Sequence, residues 1–139
     1  MATKAAIYAR VSTNEQTKGY SLQTQVRGCE VYANQHDLEV VTIITENVSG
    51  ATNLDEREEG KRLLELVKSK AIDAVIVWRL DRLSRPPEGE YSRLLTTIET
   101  FARYSVIVHD CETGAVKNDM TSVMTVSYTH LRAHETHND

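Results

Sequence analysis

The feature that most constrains this chain is the apolar run Ala71–Trp78, which reads AIDAVIVW and is the strongest such run in the sequence. A short apolar run bounded by polar residues is typical of a strand buried on both faces of a sheet. Three shorter β-prone runs accompany it, at Ala5–Val11, Glu39–Thr45 and Ser105–His109. We therefore predict four strands, with Ala71–Trp78 at the centre of the sheet.

The segments between these runs have the apolar spacing of amphipathic helices. Ser21 is a suitable N-cap for the first of them. The predicted helices are Ser21–His36, Glu58–Lys70, Glu88–Tyr104 and a last one that begins within Lys117–Val126. The alternation predicts an α/β fold with a mostly parallel, four- to five-stranded sheet and helices on both faces, in the three-layer arrangement of flavodoxin-like proteins.

Composition excludes several classes of protein. The 139 residues, 40% hydrophobic and 26% charged, suit one globular domain. The formal net charge of −4 excludes a basic protein that coats nucleic acid, so any contact with DNA must be local. No stretch approaches the roughly 18 apolar residues of a membrane span, and Met1–Arg10 lacks the apolar core of a signal peptide.

The two cysteines, Cys29 and Cys111, lie far apart in the sequence and form no CxxC motif. This spacing supports neither a disulfide framework nor a zinc site. We expect a reduced, cytoplasmic protein in which both thiols are buried as small apolar side chains.

In parallel α/β sheets, ligands and catalytic residues lie at the carboxyl ends of the strands. This rule selects two segments, Arg10–Gln16 after the first strand and Arg79–Arg85 after the third. The side chains of Tyr8, Arg10 and Ser12 alternate with apolar ones and share one face of the first strand. Because a buried arginine is costly without a partner, we expect an anion or a carboxylate opposite Arg10.

Both segments are open to two interpretations. Ser12 is either a structural cap or a nucleophile; no histidine is close to it in sequence, and the Gly-x-Ser-x-Gly motif of α/β-hydrolases is absent. Arg79–Arg85 is either a solvated helix start with an ion pair or a phosphate-binding cluster anchored by Leu80 and Leu83. A serine beside several arginines, without metal ligands, suits attack on a phosphodiester.

Three motifs resemble the catalytic domain of serine site-specific recombinases, the resolvase/invertase family. They are Tyr8–Thr13 (YARVST), Ser21–Gln25 (SLQTQ) and Leu80–Arg85 (LDRLSR). Their order, spacing and predicted positions agree with that family from about residue 5 to residue 126. The stretch Gln16–Ser21 (QTKGYS) is similar to the longer loop of the large serine recombinases of phages and mobile elements.

The resemblance implies a nucleophile at Ser12 and a set of supporting residues. Those residues are Arg10, Arg82, Arg85, Tyr8, Asp81, Gln25, Gln16 and Arg57. The arginines would bind or activate the phosphate, although Glu58–Gly60, which follows Arg57, departs from the more usual Pro-Gly of the family. Lys68 is a candidate for a lysine that the family has on the following helix, and its participation stays open.

The resemblance also implies a reaction and its partners. Such enzymes attack the scissile phosphate of double-stranded DNA with a serine, which leaves a 5′-phosphoserine link and a free 3′-hydroxyl. Homodimers assemble into tetramers that cut both duplexes, exchange the ends and reverse the chemistry. Because the covalent link conserves the bond energy, we expect no cofactor, no ATP and no metal ion. We expect a bacterial or phage-encoded, cytoplasmic protein.

Two regions are predicted along the chain. Residues 1–126 are expected to form the catalytic domain, truncated at its C-terminal helix, so that this chain alone is inactive. The tail Ser127–Asp139 (SYTHLRAHETHND) lacks apolar periodicity and resembles translated sequencing-adapter read-through, so we expect a non-native or disordered segment. Its histidines His130, His134 and His137 have a spacing that a metal could use on a helix, but we expect no metal site there.

Two alternatives remain open on the sequence. One is a flavodoxin-like domain whose arginines hold a nucleotide or free phosphate; it lacks a Gly-rich phosphate loop and leaves Ser12 unexplained. The other is a catalytically inert interaction fragment of a recombinase. A phosphoserine trapped on nicked DNA would separate the enzyme from both.

Overall fold

A computed structural model describes residues 3–12, 21–48, 54–83, 92–119 and 121–126, which contain one five-stranded sheet. The strands are β1 (Thr3–Val11), β2 (Leu38–Asn47), β3 (Ala74–Val77), β4 (Ile107–Asp110) and β5 (Gly114–Val116). Their order across the sheet is β2-β1-β3-β4-β5. All neighbouring strands are parallel except β4 and β5, so the predicted mostly parallel sheet is confirmed.

The described helices lie close to their predicted positions. They are α1 (Leu22–Gln35), α2 (Glu58–Lys68) and α3 (Ser92–Arg103), and residues 121–126 are helical as well. Ser21 caps α1 as predicted, because its hydroxyl accepts a hydrogen bond from the backbone N–H of Thr24 at 3.1 Å. Asp119 caps the helical residues 121–126 through a 2.7 Å bond from the N–H of Ser122. Residues 88–91 of the predicted third helix lie outside the described residues.

The fifth strand is the element that the sequence pattern does not locate. β5 has three residues, which is too short for an alternating pattern to be recognised. Gly114 begins it with a backbone φ of +91°, a conformation that glycine adopts without steric strain. The antiparallel pair β4–β5 therefore ends the sheet with a tight hairpin.

Helices cover both faces of the sheet. Ala6 and Tyr8 of β1 point into a core shared with α2, α3 and the helical residues 121–126. Ala5 and Ile7 point to the opposite face and pack with Cys29 and other residues of α1. Cys29 is buried as predicted, whereas Cys111 is partly exposed, contrary to our expectation for both thiols. None of the helices in the described part of the chain is long and apolar enough to cross a membrane.

A close contact holds the turn that precedes α2. Residues Leu54–Glu56 form a single 3-10 turn, and a Cβ atom added at Gly60 would lie 2.1 Å from the carbonyl oxygen of Leu54. Only glycine leaves room for this approach of backbone to backbone. Gly60 thereby fixes the path of the chain through Arg57, the residue at the N-terminus of α2.

Candidate active site

The two segments selected by the sequence meet at one place on the sheet. From β1 the chain continues to β2 on one side, and β3 lies on the other side, so the order of strands reverses between β1 and β3. Open α/β sheets bind ligands outside the carboxyl ends of the strands at such a point. Ser12 directly follows β1, and the 3-10 turn Leu80–Arg82 follows β3.

Arg10 is completely buried and donates hydrogen bonds to three backbone carbonyl oxygens. Its Nε donates to Arg82 at 3.0 Å, and its terminal nitrogens donate to Val48 at 3.0 Å and to Asp81 at 3.1 Å. These three partners are carbonyl oxygens, and the carboxylate or anion that we expected opposite this guanidinium stays a prediction. Arg10 therefore joins the end of β1 to the turn after β3 and to the chain after β2.

Arg82 in turn binds the backbone of Arg10. Its NH1 donates to the carbonyl oxygen of Arg10 at 2.9 Å, so each guanidinium binds the backbone of the other residue. Two further nitrogens of Arg82 bind both carboxylate oxygens of Asp81, each at 3.1 Å. Because Arg82 is 4% exposed, the interpretation as a solvated helix start does not hold for this residue. Leu80 and Leu83 are buried and anchor the turn on the core, as predicted.

Arg57 brings a third buried guanidinium to the same turn. Its NH1 donates to the carbonyl oxygen of Arg82 at 3.1 Å and to the hydroxyl oxygen of Tyr8 at 2.9 Å. The carbonyl of Arg82 therefore accepts hydrogen bonds from both Arg57 and Arg10. These two oxygens orient the guanidinium of Arg57 toward the turn after β3.

Tyr8 connects Arg57 to a buried carboxylate. Its hydroxyl donates to Oε2 of Glu46, while Oε1 of Glu46 accepts the backbone N–H of Glu59 at 2.9 Å and so caps the N-terminus of α2. Burial raises the pKa of Tyr8 well above its ordinary value, with a further rise from Glu46, although the charge of Arg57 opposes the rise. Tyr8 therefore keeps its proton and holds both neighbours in place.

Gln25 on α1 binds the backbone of Arg10 at two points. Its Oε1 accepts the N–H of Arg10 at 3.2 Å, and its Nε2 donates to the carbonyl oxygen of Arg10 at 2.9 Å. This pairing imitates the bonds that a neighbouring strand would make. It is needed because β3 pairs with β1 only at Ala5–Ile7, so no backbone of β3 reaches Arg10.

Two buried acidic residues of the site were missed by the sequence reasoning, Glu46 and Asp110. Both lie at the carboxyl end of a strand, Glu46 on β2 and Asp110 on β4. The Asp110 carboxylate is fully buried and accepts the N–H of Leu80 at 2.9 Å, which ties the arginine-bearing turn to β4. An acidic residue one or two positions beyond an apolar run was the available signal.

Three of the candidate residues are not part of the described network, two of them because they are not among the described residues. Gln16 and Arg85 lie outside the described residues. Lys68 is exposed at the last position of α2. Because α2 has 11 residues, about 16 Å separate its ends, and Lys68 lies at the end opposite to Arg57.

The assembled network suits a phosphate group. Among the described residues, three buried guanidiniums converge on the turn after β3, and Glu46, Asp81 and Asp110 supply three carboxylates around it. Guanidiniums bind phosphate oxygens with planar, directional hydrogen bonds. Ser12 is partly exposed and directly follows β1, two residues beyond Arg10. The arrangement allows nucleophilic attack on a phosphoester.

Known proteins are similar to this chain over most of its length. Residues 5–138 match the family model described as Resolvase, N terminal domain. The N-terminal catalytic domain of TP901-1 integrase is 26% identical, with a TM-score of 0.69 and 98% of each chain covered. A resolvase family site-specific recombinase from Streptococcus pneumoniae is 25% identical, with a TM-score of 0.68, 98% of this chain and 91% of that chain covered.

A third similar structure comes from a transposable element. The C-terminal catalytic domain of ISC1926 TnpA, an IS607-like serine recombinase, is 27% identical, with a TM-score of 0.66. The similarity covers 78% of this chain and 70% of that one. In all three comparisons the similar region spans more than two thirds of both chains.

Proposed function

Because this chain belongs to the resolvase family of serine recombinases, through its N-terminal catalytic domain, we propose that Ser12 is the nucleophile with which it breaks and rejoins DNA strands. The observation that carries the proposal is the position of Ser12 directly after β1, two residues beyond Arg10. Arg10 and Arg82 bind each other's backbone, so the guanidiniums at this end of β1 have fixed positions.

The arginines supply the electrostatic part of the proposed reaction. Arg10, Arg57 and Arg82 stabilise the negative charge that accumulates on the phosphoryl oxygens in the transition state. Because their side chains are already held by carbonyl oxygens, little reorganisation is required when DNA binds. Arg85 is proposed as a further phosphate ligand from its place in the LDRLSR motif alone.

The proposed cleavage step exchanges one phosphoester bond for another. The Ser12 oxygen forms a bond to phosphorus, and the bond from phosphorus to the 3′ oxygen breaks. The 3′ oxygen leaves with a proton as a free hydroxyl, and the 5′ phosphate stays on the serine. Attack by a 3′-hydroxyl on the phosphoserine reverses the step, so rejoining needs no external source of energy.

Tyr8, Gln25, Gln16 and Asp81 are proposed as supporting residues. Tyr8 holds Arg57 against the turn after β3, Gln25 holds the backbone of Arg10, and Asp81 orients the guanidinium of Arg82. Gln16 is included only on the family motif. None of these contacts requires a metal ion or a cofactor.

The partners follow from the same chemistry. We propose that the substrate is double-stranded DNA and that the active assembly is a tetramer formed from homodimers of the large serine recombinase type. Strand exchange between two duplexes needs four nucleophiles, and a single chain provides one. Access to DNA would place the protein in the cytoplasm of a bacterial cell.

The nucleophile can be tested by trapping the covalent intermediate. The chain is fused to a sequence-specific zinc-finger DNA-binding module and offered nicked duplexes that carry the module's site beside a randomised central sequence. We expect a protein–DNA adduct that survives denaturation, with a free 3′-hydroxyl at the break. Ser12→Ala should abolish the adduct while leaving binding to the module's site unchanged.

Ser21→Ala is the matched control, because Ser21 caps α1 and lies outside the network around Arg10. Loss of that cap destabilises the helix by about 1 kcal/mol but leaves the nucleophile in place, so the adduct should still form. Adduct formation by the Ser12→Ala protein would contradict the assignment.

A further inference from the structure

The two cysteines, which are 82 residues apart in the sequence, are neighbours in the fold. Cys29 lies on α1 and Cys111 follows the last residue of β4, and their Sγ atoms are 3.6 Å apart. The Cys111 thiol donates to the sulfur of Cys29, whose own thiol points toward the carbonyl oxygen of Ile76 at 3.9 Å. The reaction described above uses neither thiol.

We propose that Cys29 and Cys111 form an oxidisable pair, a modification site at which a peroxide closes an intramolecular disulfide bond. A disulfide has an S–S distance of about 2.05 Å, so the two sulfurs at 3.6 Å need to approach by about 1.6 Å. Side-chain rotation and small backbone shifts cover such a distance. The fold therefore brings the two cysteines together, although they are far apart in the sequence.

The surroundings of the two sulfurs assign them different roles. Cys111 is partly exposed and open to a small oxidant, whereas Cys29 is completely buried behind it. The hydrogen bond from Cys111, together with burial, raises the pKa of Cys29 well above its ordinary value. Cys29 therefore stays protonated and unreactive toward the oxidant until its neighbour has been modified.

The chemistry balances with one equivalent of peroxide. The Cys111 thiol is oxidised to a sulfenic acid, and hydrogen peroxide is reduced to water. The Cys29 sulfur then attacks the Cys111 sulfur, the S–S bond forms and the S–O bond breaks. The departing hydroxide takes the proton of the Cys29 thiol and leaves as a second water molecule. A dithiol such as dithiothreitol reverses the product to two thiols through exchange.

The bond would join two elements that both hold the site. Residues 110–112 bind the end of β3 and the segment after it at three points: Asp110 accepts the N–H of Leu80, the N–H of Cys111 donates to the carbonyl oxygen of Val77 at 3.1 Å, and Glu112 pairs with Arg79 at 3.4 Å. On the other side, α1 carries Gln25, four residues before Cys29 and on the same face of the helix. The disulfide would therefore join α1, whose Gln25 holds the backbone of Arg10, to residues 110–112, which hold the arginine-bearing turn.

The test uses the 139-residue chain itself, which contains no other cysteine. The folded protein is treated with a few equivalents of hydrogen peroxide and unfolded in the presence of an alkylating agent. The mass of the intact chain is then measured by mass spectrometry. We expect a monomer that has lost two hydrogens and accepts no alkyl group, and that accepts two after treatment with dithiothreitol. Peptide mapping should find residues 29 and 111 in one cross-linked peptide pair.

Single variants serve as matched controls. Cys111→Ser should leave Cys29 reduced after peroxide treatment, because the remaining thiol is buried. Cys29→Ala should leave Cys111 to form a sulfenic acid, higher oxides or a dimer between chains. The measurement on the wild-type chain does not depend on either variant folding normally.

Thermal unfolding gives a second measurement on the same oxidised monomer. A covalent link between residues 82 positions apart should raise the midpoint temperature of unfolding by about 5–15 °C relative to the reduced protein, because the link restricts the unfolded chain. A lower midpoint would mean that the bond forms only by distorting the fold, and it would overturn the proposal. The same conclusion would follow if peroxide produced Cys111 oxides or disulfide-linked dimers and left Cys29 reduced. None of these outcomes depends on the activity of Ser12.

Discussion

The first half of β1, Ala5–Ile7, pairs through its backbone with β2 on one side and with β3 on the other. The second half, Tyr8–Val11, keeps its ladder with β2, but its other edge is bound at Arg10 by side chains from α1 and from the turn after β3. All of these residues are completely buried. The same burial is thus reached by backbone pairing in one half and by particular side chains in the other.

This difference explains where the site is located on the strand. Backbone ladders form with any residue that suits a strand, so the first half depends on size and hydrophobicity. The bonds to the second half require an amide at position 25 and guanidiniums at positions 10 and 82. We therefore expect substitutions in the two halves to have effects of different kinds.

The largest effect is expected for Arg82→Lys. An ammonium group cannot bind the carboxylate of Asp81 at two points while also donating to the carbonyl of Arg10, so the charge is retained but its position is lost. We expect adduct formation by the zinc-finger fusion to be slower by about 10²–10³-fold, close to the loss for Arg82→Ala.

Arg79→Lys is the matched control for this comparison. Arg79 precedes the same turn, but it is partly exposed and pairs with Glu112 across the surface. Its substitution should change the rate of adduct formation by less than about threefold. Equal rates for the Arg82→Lys and Arg79→Lys proteins would show that charge alone, without geometry, suffices at the site.

A smaller effect, on stability, is expected for Gln25→Leu. Leucine has a similar volume, but it cannot accept the hydrogen bond from the N–H of Arg10. It also removes one of the donors that bind the carbonyl oxygen of Arg10. We expect the free energy of unfolding to fall by about 1–3 kcal/mol in urea titrations. Gln23→Leu, at an exposed position of the same helix, should change it by less than about 0.5 kcal/mol.

In the first half of β1, Ile7→Val should reduce the free energy of unfolding by about 0.5–1.5 kcal/mol through lost packing. It should leave adduct formation unaffected, because the Ile7 side chain lies on the face of the sheet that α1 covers. If Gln25→Leu had no larger effect than Gln23→Leu, the two halves of β1 would not differ in the way described.

The smallest effect is a pH dependence due to Tyr8. The unfolded chain loses the Tyr8 proton near pH 10, whereas burial raises the pKa of the folded state above that value. The contribution of Tyr8 is therefore fully present below about pH 10 and is lost as the pH rises toward the higher pKa, by at most about 1.4 kcal/mol per pH unit.

The measurement compares the wild-type and Tyr8→Phe proteins in urea titrations between pH 8 and about pH 11, where the unfolded tyrosine titrates. The difference in free energy of unfolding between them should shrink above pH 10. A constant difference for Tyr8→Phe would contradict the role of burial.

Much of the fold was predictable because each long element has its own local pattern. The apolar runs located four strands, and Ser21 marked the start of α1 to the residue. β5 was not located because three residues carry too little pattern, and its pairing with β4 is set by the turn at Gly114. Local patterns specify elements, whereas the position of a short edge strand depends on its neighbours.

The site was predictable as a location but not as a network. The motifs predicted Ser12, Arg10 and Arg82 at the carboxyl ends of β1 and β3, two strands that are neighbours in the sheet. The carbonyl partners of Arg10 were not predictable, because backbone carbonyls have no sequence signature and these three belong to residues 38, 71 and 72 positions away. The contact between Cys29 and Cys111 was missed for the same reason, since it exists only after the sheet has assembled.

The close approach at Gly60 has a consequence for reading mutational data. A side chain at this position would collide with the carbonyl of Leu54 and displace the turn that leads into Arg57. A saturation screen scored by recombination would therefore rank position 60 among the most intolerant in the chain, although the residue has no side chain to offer to DNA. A position can therefore be intolerant in such a screen for two reasons. Either its residue reacts, or it is a glycine whose missing side chain leaves room for the reacting residues.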